Sequence, residues 1–82
     1  MARTTLRKKL RTHGHRKLIG VLAKTRKAAG LTQRDLASRL KRPHSFVGRL
    51  EAGERRLDVV EFIEVARALD VDPAKLFAQL ID

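Results

Sequence analysis

The stretch Leu31–Arg56, LTQRDLASRLKRPHSFVGRLEAGERR, contains two short helical patterns separated by a break the chain cannot avoid. Pro43 has no backbone N–H, and its ring clashes with the carbonyl of the preceding helical turn, so no regular helix runs through it; a first helical position suits it. Lys41 and Arg42 therefore make the turn, and a helix begins at Pro43 or His44 and stops at Gly53. Before the turn, Thr32 and Asp35 have the spacing of a capping box, and Leu36, Ala37 and Leu40 form an inner stripe, which predicts a helix over 32–40. The two form a packing unit that can push one helix outward.

The rest of the chain supplies the helices this unit leans on. Leu18, Leu22, Thr25, Arg26 and Ala29 recur at spacings of three and four, and Gly30 follows, predicting a first helix over 16–29 after a basic arm broken at Gly14. Asp58 with Glu61 repeats the capping spacing, and Val59, Phe62, Ile63, Ala66 and Leu69 carry a fourth helix to about residue 69. Asp72-Pro73 pairs a cap with a first-turn proline, opening a short fifth helix with Leu76, Phe77 and Leu80. No strand alternation and no repeat is present. The expected fold is an all-α, compact five-helix domain over residues 16–82, preceded by an arm over 1–15.

Charge is distributed unevenly. Of the net +10, residues 1–17 hold seven bases and no acid, residues 18–56 ten bases against three acids, and residues 57–82 two bases against six acids. One end is built to face phosphates and the other to face protein. Eighty-two residues bury only about 60–65% of their unfolded surface, too little for a deep cleft, and the acids are scattered among caps and exposed positions without a paired nucleophile and base. No enzyme activity is expected. With no cysteine there is no thiolate metal site, and His13-Gly14-His15 offers two imidazoles without a third ligand, so neither metal nor cofactor is expected. No apolar run nears the ~20 residues of a membrane span, and the first residues lack the apolar middle of a signal peptide. A cytoplasmic, nucleoid-associated protein is expected, with no membrane partner.

Leu31-Thr32-Gln33, Leu36-Ala37, Leu40, Val47, Leu50-Glu51 and Gly53-Glu54-Arg55 resemble the Cro and repressor type of helix-turn-helix, the xenobiotic-response-element (XRE) family of regulators. The resemblance covers roughly residues 17–80. It implies a lambda-repressor-like fold, double-stranded DNA as partner, base contacts at the positions of His44, Ser45 and Arg49, a phosphate contact at Gln33, and an ion pair between Arg26 and Glu51. Helical geometry separately places His44, Ser45, Gly48, Arg49 and Ala52 on one side of the third helix and Phe46, Val47 and Leu50 on the other. Arg49 matches guanine O6 and N7 bidentately. Gly48 either reflects drift or lets the backbone approach DNA closely. Arg34, Ser38, Lys41 and Arg42, with Arg55 and Arg56 after the third helix, are expected to line a phosphate-facing rim.

Three readings of the arm stay open: a minor-groove arm, a short helix using Leu6 and Leu10, or a tether, with Arg3, Arg7, Lys8, Lys9 and Arg11 on DNA. The fourth helix carries more apolar residues than one stripe needs. Val60, Ile63, Phe77, Leu80 and Ile81 are therefore expected to form a two-fold interface, making the protein a homodimeric repressor of a near-palindromic operator. The alternative is the antitoxin and autoregulator of a toxin–antitoxin pair, with a protein partner on the same face. A basic module for RNA or lipid is the remaining rival; it lacks the aromatic platforms of a single-strand binder, since there is no Trp or Tyr and the three Phe read as core.

Overall fold

The fold is given by a computed structural model that describes residues 12–81, whose regular elements are all helices. Five helices follow one another: α1 (His13–Ala28), α2 (Gln33–Leu40), α3 (Ser45–Glu51), α4 (Val59–Ala68) and α5 (Pro73–Ala78). Helix α1 starts three residues earlier than its apolar pattern suggests. The Thr12 hydroxyl accepts from the His15 N–H at 3.2 Å, and this cap carries the helix through Gly14. Thr32 and Asp35 close a capping box on α2, Asp58 and Glu61 close another on α4, and Asp72 caps α5 ahead of Pro73. Helix α3 begins at Ser45 and not at Pro43 or His44. His44 is already in the helical region but offers no side-chain cap, and Pro43 only accepts, through its carbonyl, a turn bond from the Phe46 N–H at 2.9 Å.

Helices α1 and α3 end alike. Gly30 and Gly53 take φ of 76° and 78°; the Gly30 N–H donates to the Lys27 carbonyl and that of Leu31 to Arg26, while those of Gly53 and Glu54 donate to Leu50 and Arg49. This double closure satisfies last-turn carbonyls and turns the chain sharply, and glycine enters the left-handed region without steric cost. Lys41 ends α2 the same way at φ 57°, directly before Arg42 and Pro43.

The core is one cluster drawn from all five helices: Leu22, Leu36, Ala37, Phe46, Val47, Leu50, Val65, Ala66, Leu69 and Leu76. Helix α3 packs on α1 and α2, α2 on α4, and α4 on α5, so α3 is held from behind while its other side stays open. Two expectations change. Val65, outside the stripe read for the fourth helix, is buried, whereas Val59 at the stripe's start is 74% exposed because it sits in the first turn, ahead of the packed part of α4. Phe46 alone among the phenylalanines is fully core; Phe62 is half-buried and Phe77 is 51% exposed, their rings meeting edge to face at 6.1 Å. No helix among the described residues is long and apolar enough to cross a membrane.

Candidate nucleic-acid interface

Seven residues of α3 present two chemically distinct sides. Phe46, Val47 and Leu50 are buried, while Ser45 and Arg49, with His44 before the helix and Ala52 after it, are exposed and Gly48 is half-buried between them. The outward side thus carries one imidazole, one hydroxyl, one guanidinium and two positions with little or no side chain. An α-helix bearing such a side fits a groove about 12 Å wide. Arg49 has no ion-pair partner among the described residues, so its five N–H donors are open to an external acceptor.

The rim residues divide into two sets. Arg34, Ser38, Lys41 and Arg56 are exposed. Arg42 and Arg55 have internal partners instead. Arg55 binds Glu61 through two parallel bonds of 2.9 and 2.8 Å and donates to the Arg56 carbonyl, and Arg42 lies 3.3 Å from Glu61 and 3.7 Å from Glu64. Both guanidiniums also stack on the Phe46 ring, 4.8 and 4.6 Å from its centroid. Glu61 holds Arg55 charged to above its usual range, and the same bond, with the Asp58 backbone bond, draws the Glu61 carboxyl down to about 2. These two arginines therefore brace α3 against α4, which their expected place on the rim does not include. The sequence signal for Glu61 was its capping distance from Asp58; nothing local marks the second set of bonds.

Arg26 is 7% exposed. Its Nε and Nη2 donate to Glu51 Oε2 and Oε1 at 2.7 and 3.0 Å, and its Nη1 donates to the Leu31 carbonyl at 2.7 Å. The Glu51 hydrogen bond raises the Arg26 pKa above its usual value. Gln33, the first residue of α2, also reaches Glu51, donating from Nε2 to Oε1 at 2.9 Å. One carboxylate thus joins α1, α2 and α3. At the other end of α1, His15 lies near enough to Arg56 for that charge, after burial, to lower its pKa.

On the C-terminal side, Val60 and Ile81 are 64% and 71% exposed, Phe77 is half exposed, and Ile63 and Leu80 are half-buried. Beside them runs an apolar groove lined by Leu18, Leu57, Val59, Phe62, Phe77 and Leu80. The arm cations Arg3, Arg7, Lys8, Lys9 and Arg11 lie outside the described residues.

Comparison with known proteins meets this geometry. The family model of the helix-turn-helix domain matches residues 19–78. Among solved structures the chain is similar to an XRE-family like protein from Pseudomonas syringae pv. tomato strain DC3000, with 44% identity, 89% of each chain covered and a TM-score of 0.81. It is also similar to a mutant of the restriction-modification controller protein C.Esp1396I, with 27% identity, 85% of this chain and 89% of that one covered, and a TM-score of 0.79. No curated protein matches. Both the matched span and the shape of the α2–turn–α3 unit lead to one conclusion: the chain belongs to the XRE family of helix-turn-helix DNA-binding regulators.

Proposed function

We propose that the protein is a sequence-specific repressor that binds a near-palindromic double-stranded operator as a homodimer, with α3 in the major groove. The observation that carries this reading is the open side of α3, where Arg49, next to His44, Ser45 and Gly48, has no ion-pair partner among the described residues. Arg49 reads a guanine, His44 and Ser45 contact base edges near the helix start, and Gly48 keeps the centre of the helix low against the groove floor. Gln33, Arg34, Ser38, Lys41 and Arg56 fix register through phosphates, as do the arm cations, while Arg42 and Arg55 stay on Glu61 and Phe46.

Selection of duplexes from a random pool tests this directly. Recovered sequences contain two half-sites about 34 Å apart, and their affinity exceeds that for random duplex by at least about 10³-fold. Arg49→Ala weakens binding by about 1–3 kcal/mol and relaxes one position in each half-site. A specificity ratio near one overturns the reading.

The apolar groove and the exposed Val60, Phe77 and Ile81 support two-fold pairing, because water contact with such a patch is unfavourable. Sedimentation gives a dimer at micromolar concentration, and Phe77→Asp gives a monomer with lower operator affinity. A wild-type chain that stays monomeric when concentrated sinks the dimer and turns the groove toward a different protein, as the antitoxin reading requires.

A further inference from the structure

On the function proposed above, Gln33 serves a DNA phosphate, and its side chain is already committed in the free protein. Its Nε2 donates to Glu51 Oε1 at 2.9 Å, an oxygen that also accepts from Arg26. A carboxylate only accepts, so the amide has one chemically sensible orientation: the NH₂ toward Glu51 and Oε1 away from it. Oε1 then lies over α3 at Gly48, 3.2 Å from where a Cβ on that residue would stand. Side chains at this position would compete for the space, so the absent Cβ and the Gln33 amide share one slot on the outward side of α3.

We infer that Glu51 is a positioning residue that holds the Gln33 amide in the gap left by Gly48, with one Nε2 hydrogen remaining for a phosphodiester oxygen of bound DNA. Two physical points support the assignment. A glutamine at an exposed helix start has three free torsions, and ordering such a side chain on binding costs a factor of roughly two to ten in affinity; an amide already held by Glu51 avoids most of that loss. A carboxylate near DNA ordinarily repels phosphates, but the bidentate Arg26 guanidinium offsets the Glu51 charge. The ion pair that ties the helices therefore also aims a DNA contact. This gives Gly48 a role distinct from drift and from backbone approach to the groove.

A double-mutant cycle on the full chain tests this. Dissociation constants are measured at fixed salt on a duplex recovered by selection and on a random-sequence duplex, with folding checked by circular dichroism. In the parent chain, Gln33→Ala weakens binding to both duplexes by about tenfold, as loss of a phosphate contact does. In an Arg26→Met/Glu51→Leu background, which replaces the ion pair by apolar residues of similar size, the same substitution costs less than about threefold. Where that background fails to fold, Gly48→Leu serves, because its Cβ would already stand 3.2 Å from Oε1 and the rest of the side chain competes for the slot of the amide. Equal losses in every background, or no loss in the parent, overturn the inference. Arg49→Ala separates this outcome from failure of the DNA reading: a retained Arg49 effect on the selected duplex with an additive Gln33 cycle removes only the Glu51 role, and loss of both removes the two together.

Discussion

Replacing Arg26 with alanine lowers the unfolding free energy by about 3–5 kcal/mol, because it strands the Glu51 carboxylate in a site where water can replace little of what is lost. The guanidinium is 8% exposed and the carboxylate 11%, and three bonds of 2.7 to 3.0 Å end on Arg26. Removal leaves Glu51 with the Gln33 amide as its hydrogen-bond partner among the described residues and takes the Arg26 bond from the Leu31 carbonyl at the exit of α1. A domain of this length has about 4–12 kcal/mol in total, so the loss removes at least about a quarter of it. Arg39→Ala is the matched control. That arginine is exposed and donates one bond, to the Ala68 carbonyl, so its removal costs under about 1 kcal/mol. Urea denaturation of both variants checks the claim, and equal midpoints contradict it. Replacing both members of the Arg26–Glu51 pair by apolar residues costs much less than Arg26→Ala, since no charge is then left alone.

What the sequence announces, it announces locally. Thr32 with Asp35, Asp58 with Glu61, Asp72 with Pro73, and the stops at Gly30 and Gly53 all act within five residues, so the five-helix order follows from spacing alone. Helix starts are less legible. Gly14 reads as a breaker until the Thr12 hydroxyl is seen to cap the turn that contains it, and Pro43 reads as a first helical residue although the regular bonds begin two residues later. The amphipathic split of α3 is legible because seven residues at 100° each allow only one buried side. The partners of Gln33, Arg42 and Arg55 are not. Gln33 and Glu51 are 18 residues apart, and the arginine stack needs Phe46, Glu61 and two separate loops to meet. A cap uses only part of a carboxylate; where the remaining lone pairs go is settled by tertiary packing, for which one sequence carries no local signal.

Glu61→Gln is expected to lower stability by about 1–2 kcal/mol and to remove a pH dependence that the parent chain has. The Glu61 side chain is 13% exposed, accepts the Asp58 N–H, takes two bonds from Arg55 and pairs with Arg42. These bonds bring its pKa to about 2 from 4.5. Between those values the unfolded chain binds the proton and the folded one does not, so acid favours unfolding. The stabilisation is present in full above about pH 4.5 and disappears as pH falls toward 2; solvent around the half-covered arginines screens the charges and keeps the effect to about 1–2 kcal/mol. Urea midpoints followed from pH 6 to pH 2.5 fall less steeply for Glu61→Gln than for the parent, and parallel curves contradict the assignment. The second consequence concerns DNA. Loss of the carboxylate releases Arg42 and Arg55 from their anion and leaves α3 without its brace to α4 at Phe46. Affinity for random duplex then rises and its salt dependence steepens, by up to about 0.9 in log–log slope for each guanidinium gained by phosphate, while discrimination by the loosened α3 declines. Glu61 therefore trades cations that could bind any duplex for a reading helix held in one place.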